Sequence, residues 1–151
     1  MKEKSDKTFT ISIHTKSNNS YYHVAECQEE AGIPDELTKN GIQPAGAVSY
    51  ELMETLHEQK DLHVLTPVVL FTYDLHLPTD FQPQVVDGEV DEFFQWSVDE
   101  QFAAMDRDFE DPMKPNCYLC VIDYLLRKGK ISPETPGYLD LLRELRNGAC
   151  A

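Results

Sequence analysis

Basic residues are scarce in this 151-residue chain: 13 Lys and Arg stand against 27 Asp and Glu, a net charge of −14. That deficit argues against nucleic acid and anionic membrane as partners, since either needs a basic face to displace counterions. Long apolar runs are missing too. None approaches the ~20 residues that span a bilayer, and the opening MKEKSDKTFTISIHTKSNNS lacks the apolar segment of a secretory signal. The four cysteines (Cys27, Cys117, Cys120, Cys150) make no regular framework, so a reducing, soluble compartment, the cytoplasm, is expected. There is no glycine-rich phosphate loop, internal repeat or low-complexity tract. Cations, or substrates that arrive with cations, are the natural counterparts of such an acidic chain.

What is present is enough for one domain: apolar residues make up 41% of the chain. TFTISIH, 8–14, alternates as a short strand and SNNS breaks it. A helix through AECQEEAGI follows, with Gly32 suited to its C′ position and Pro34 barring its continuation. GAVSYELM, 46–53, reads as a strand. HVLTPVVLFTYDLHL, 63–77, is the strongest strand signal and belongs centrally in a sheet, antiparallel to the former across a turn near 58–61. EVDEFFQW reads as another strand and VDEQFAAMDRDF as a short amphipathic helix. NCYLCVIDYLLR, 116–127, is an apolar helix with Gly129 beyond it, and ISPETPGYLDLLRELRNG closes with a capped helix. The fold class is therefore α/β or α+β, helices covering a mixed sheet.

Cys117 and Cys120 form a C-x2-C without a second pair, so zinc and redox roles are not expected. The five histidines show no ligand spacing, and Trp96 is expected to pack on the sheet. The informative stretch is VAECQEEAGIPDE, 24–36, with five carboxylates in thirteen residues. Glu26, Glu29 and Glu30 fall at i, i+3 and i+4, on one helical stripe, where like charges repel. A solvated acidic face is the bland explanation. The alternative is that a hard divalent cation takes up these oxygens and removes the repulsion.

Glu26, Cys27, Glu29, Glu30, Gly32 and Ile33 match the second half of the Nudix hydrolase signature, G-x5-E-x7-R-E-U-x-E-E-x-G-U, U being aliphatic or similar. GAVSYE, YDLHLPTDFQP, DGEVDEF and the tail from KPNC through IDYLLRKGKISPETPGYLDLLRELR, in that order, resemble the thiamine-pyrophosphokinase-related Nudix family of fungi and plants. The resemblance runs from Val24 to the C-terminus. It implies a Nudix domain over 24–151, incomplete on its N-terminal side, after a divergent segment 1–23. It also implies Mg²⁺ or Mn²⁺ bound by Glu26, Glu29 and Glu30. Glu29 and Glu30, with Glu89 of DGEVDEF as base or further ligand, are the implied catalytic residues; Asp87 and Glu92 are weaker choices for Glu89's role. The implied reaction cleaves a diphosphate linkage in a small molecule, thiamine diphosphate or an oxidised derivative, giving the monophosphate and phosphate.

The first half of the signature departs from the pattern: Ile11 stands for its Gly, Ser17 for its first Glu and Ala25 for its Arg. A β-branched residue cannot turn as glycine does, and alanine cannot pair with the helix carboxylates. The departures support an alternative, a catalytically impaired or truncated Nudix-like binding module. Oligomeric state is not legible in the sequence.

Overall fold

A computed structural model of the protein describes residues 8–13, 20–55, 63–88, 90–106, 108–110 and 112–147. Eight elements follow in order: β1 (Thr8–Ile13), α1 (Ser20–Ala31), α2 (Asp35–Gly41), β2 (Ile42–Thr55), β3 (His63–His76), α3 (Val98–Ala104), α4 (Pro115–Arg127) and α5 (Tyr138–Glu144). The strands form one sheet in the order β1-β3-β2, with both pairings antiparallel. The class is α+β. No parallel pairing occurs among the described residues, although the sequence suggested a mixed sheet.

β3 is central, as its continuous apolar character requires. β1 pairs only with its second half, Ile13 opposite Phe71 through Thr8 opposite His76, whereas β2 runs along its whole length. Pro67 falls in the half that β1 does not reach, so its missing N–H breaks no ladder with β1. β2 begins earlier than GAVSYELM suggested. Pro44 and Gly46 read as breakers, but β2 is paired on one side in this sheet and a bulge between these residues absorbs both, with Gly46 at φ +140°. On its outer side β2 donates a bond, from Ser49 N–H to the Leu145 carbonyl at 2.9 Å. The turn expected near 58–61 lies outside the described residues.

Alternation along β3 sends its side chains into two cores. Leu70, with Val48 of β2, packs with Cys120 and Leu126 of α4 and with Leu145; Tyr50 lies against this cluster. Leu75 packs instead with Cys27 of α1, Ile33 and Leu77, flanked by Leu37, Ile42 and Phe81. The sheet thus lies between an α4/α5 layer and an α1/α2 layer. α4 ends in a Schellman turn: Gly129 takes φ +65°, its N–H donates to the Leu126 carbonyl and that of Lys130 to the Leu125 carbonyl.

Charge ties the first layer to the sheet. Asp123 of α4, 1% exposed, accepts from Arg127 Nε at 2.8 Å and from Arg146 Nη2 at 2.5 Å. The other edge of the Arg127 guanidinium grips Asp74 of β3 through two bonds of 2.8 and 3.0 Å, and Lys128 Nζ reaches the same carboxylate at 2.9 Å. Burial alone would raise the pKa of Asp74, but hydrogen bonds from Arg127 and Lys128 outweigh it and hold the carboxyl below its ordinary 3.8. A depressed folded-state pKa gives stability that is complete above the ordinary value and lost as pH falls through the native one. Unfolding free energy is therefore expected to drop below about pH 4, and to drop less in Asp74→Asn. Urea midpoints across this range check it.

Two segments differ from their sequence reading. DELTKNG, which carried no assignment, forms α2, started by Pro34 and held by a Lys39–Asp35 ion pair of 2.7 Å and by the buried Thr38. EVDEFFQW is not a strand: its described residues, 90–96, are irregular and join no sheet. Its aromatic content signals strand, but Phe93 and Phe94 are adjacent, so a pleat would bury one and expose the other; both are exposed here. The helix after it forms over Val98–Ala104, the first part of VDEQFAAMDRDF, with Ser97 and Glu100 exchanging the two bonds of a capping box.

Candidate functional site

α1 carries the acidic stripe. It begins at Ser20, within the stretch where SNNS suggested a break, and ends as the glycine required: Gly32 takes φ +62° and donates to the Gln28 carbonyl at 3.0 Å, while Ile33 N–H donates to the Cys27 carbonyl at 3.1 Å. Ile33 then drops into the core beside Cys27, which is 2% exposed. These two anchors fix the rotation of α1 about its axis. With Cys27 turned inward, Glu26 and Glu30 lie half-buried on its flanks and Glu29 is exposed.

The thiol senses its neighbours. Burial is the main cause that pushes Cys27 up to about 11; a hydrogen bond with Thr38 opposes it, and the charges of Glu30 and Glu26 add to the rise. Cys27 is therefore a neutral thiol at physiological pH, an anchor between α1 and α2 rather than a nucleophile or ligand. Sequence reading counted Cys27 only as an aliphatic-like signature position. Thr38 had no signal at all, because its contact depends on α2.

The loop that follows β3 docks on the same helix end. Gln84 N–H donates to the Ala31 carbonyl at 3.1 Å, and Val86 lies so close to Gly32 that an added Cβ would meet its Cγ2 at 3.4 Å. Asp87 is the next residue in the chain, so the DGEVDEF segment starts beside the end of α1. Glu89 itself lies outside the described residues. Asp87 and Glu92 are both exposed. The docking of this loop was not legible, since it rests on one backbone bond and a glycine contact.

Hard carboxylate oxygens on adjacent turns are the right donor type for Mg²⁺ or Mn²⁺, which take one or two carboxylates and fill the remaining positions with water and phosphate oxygens. The side chains do not form a closed cage: among the described residues, no three His, Cys, Asp or Glu groups converge on one ion position. Glu26, Glu29 and Glu30 therefore form no all-protein cation site among the described residues. Cys117 and Cys120 face differently, one exposed and the other buried. No described helix is long and apolar enough to cross a membrane.

No family model matches the chain. It is 48% identical over 128 residues to Nudix hydrolase 24, chloroplastic, of Arabidopsis thaliana, a match covering 85% of this chain and 32% of that protein. Nudix hydrolase 20, chloroplastic, of the same plant is 41% identical over 128 residues, with the same coverage. An uncharacterized protein of Saccharomyces cerevisiae is 33% identical over 125 residues, covering 80% of this chain and 36% of its own length. The chain spans about a third of the length of the curated relatives it matches. Along most of its length it is thus homologous to part of two plant proteins that bear the name Nudix hydrolase.

Proposed function

We propose that this chain carries the metal-binding part of a Nudix-type hydrolase that cleaves a phosphoanhydride bond in a small-molecule diphosphate. The observation that carries the reading is the end of α1: Glu26, Glu29 and Glu30 on one helix, clocked by buried Cys27 and Ile33 and closed by the positive-φ Gly32. The similarity to the two plant Nudix hydrolases supports it. A divalent cation at this stripe would supply Lewis acidity to the diphosphate and make the attacking water more acidic. The protein's part is to hold carboxylates where they receive that cation and to leave room for phosphate oxygens. Glu30 and Glu26 are the inner members of the stripe and Glu29 the outer one. Glu89 is the proposed base or additional ligand.

Thiamine diphosphate or an oxidised derivative is the proposed substrate, resting on the family resemblance of the downstream segments. Its products would be the monophosphate and phosphate. The proposed compartment is the cytoplasm, whereas both plant relatives are named as chloroplastic. A second reading, a Nudix-like binding module without turnover, is favoured by Ala25, which on α1 offers no cation to orient the neighbouring glutamates.

Chromatography of the products separates the two, since terminal diphosphates give a monophosphate and phosphate whereas ADP-ribose and dinucleotides give two monophosphate esters. With Mg²⁺ or Mn²⁺ and a panel of thiamine diphosphate, its oxidised analogues, ADP-ribose and dinucleotides, the hydrolase gives turnover that EDTA abolishes. Glu30→Gln is expected to lower kcat by about 10²- to 10³-fold, the cost typical of losing one preorganised electrostatic group. Folded protein that forms neither phosphate from the thiamine diphosphates nor monophosphate esters from ADP-ribose and the dinucleotides would leave the binding module.

A further inference from the structure

The segment 77–106 holds eight carboxylates and no Lys, Arg or His. Inside it the protein displays aromatic rings. Phe93 is 36% exposed and Phe94 54%, and Phe94 stacks on Trp96 with centroids 5.3 Å apart and ring planes 28° from parallel. This arrangement is held in place. The Gln101 side chain donates to the Trp96 carbonyl, and the Glu100 carboxylate is fixed 2.6 Å from the Ser97 N–H, one residue beyond the indole. Hydrogen bonds with Ser97 keep the Glu100 carboxyl below the ordinary range. Asp91, Glu92 and Asp99 flank the pair in sequence and are exposed.

An exposed aromatic pair is an odd place to leave so much apolar surface, because large rings gain from burial. The surrounding charge says what would cover it. Carboxylates repel an anionic membrane and anionic ring systems, and they draw in cations over several ångströms. The faces of Phe and Trp attract the same sign of charge through their quadrupoles. A flat ring bearing a positive charge satisfies both, stacking on Phe94 while its charge is balanced by Glu100 and its acidic neighbours.

We infer that the Phe94–Trp96 pair is a binding platform for a planar organic cation. It rests on the thiamine part of the proposed function, since the thiazolium ring is such a cation, but its test needs neither metal nor phosphate. Trp96 is the chain's single tryptophan, so its indole N–H is a unique reporter. The test is an NMR titration of the full chain in EDTA at neutral pH, comparing N-methylquinolinium with quinoline, its flat neutral counterpart. The cation is expected to shift the indole signal saturably, and quinoline to bind at least about tenfold more weakly. Phe94→Leu should weaken the cation by a similar factor while leaving the remaining amide signals in place, and Phe94→Tyr should preserve binding. Equal binding of the two ring systems would reduce the pair to an apolar patch and overturn the proposal. So would the absence of a saturable shift, or a shift produced by a Lys/Arg-rich peptide and not by the quinolinium. Because EDTA is present throughout, a failure here leaves the hydrolase reading standing, and a failure of turnover leaves this one standing.

Discussion

Asp123→Ala is expected to destabilise the protein by about 3–5 kcal/mol, the cost of breaking a buried ion pair from one side. The carboxylate is 1% exposed and is shared by Arg127 and Arg146. Removing it takes a carboxylate partner from two guanidinium groups at once. Arg127 keeps Asp74 as a partner, whereas Arg146 meets no other carboxylate among the described residues. Arg146 is also the more exposed of the two, at 44% against 23%, and can turn to water. The penalty therefore concentrates on Arg127 and on the α4–β3 contact that it makes. Asp123→Asn, which retains an acceptor oxygen and the shape, should cost less. Urea denaturation of both variants measures the difference, and an Asp123→Ala variant within about 1 kcal/mol of wild type would mean that the network is a solvated surface feature.

Leu75→Ala is the second large effect, expected at about 2–5 kcal/mol for a fully buried leucine whose cavity cannot collapse. Leu75 is 0% exposed and sits between β3 and the α1/α2 layer, touching the cluster of Cys27, Ile33 and Leu77. Its Cδ1 already lies 3.0 Å from where a Cβ on Gly41 would be, so the packing on that side is tight. The consequence reaches function. Cys27 and Ile33 set the rotation of α1, so loosening their floor lets the acidic stripe turn. Divalent-cation affinity should fall together with stability in Leu75→Ala. In Leu70→Ala, which opens the opposite core against α4, stability should fall with little change in cation affinity. Chemical denaturation paired with cation titration distinguishes the two layers.

How much of this was legible follows from what each signal depends on. β3 and α4 announce themselves because burial repeats at a local period, and the ends of α1 and α4 because Gly32 and Gly129 are needed at positive φ. The stripe of Glu26, Glu29 and Glu30 was legible from spacing alone. α2 was not, since DELTKNG has almost no apolar periodicity and is held by Leu37 and Thr38 packing under α1. The reading of EVDEFFQW as a strand failed because aromatic propensity cannot tell a pleated surface from exposed irregular chain. The approach of the 84–86 loop to Gly32 left no trace either, because backbone hydrogen bonds between distant segments carry no residue code.

The central claim is that one face of α1 receives a divalent cation through Glu26, Glu29 and Glu30, and Mn²⁺ tests it directly by paramagnetic broadening of backbone amide signals. With substoichiometric Mn²⁺, the first signals lost should be those around Glu26 to Ala31, followed by the docked loop at Gln84 to Asp87. Glu29→Gln combined with Glu30→Gln should abolish that selectivity while the fold persists. Broadening spread evenly over the acidic surface, or centred elsewhere and unchanged in the double variant, would contradict the account and leave the stripe a solvated face.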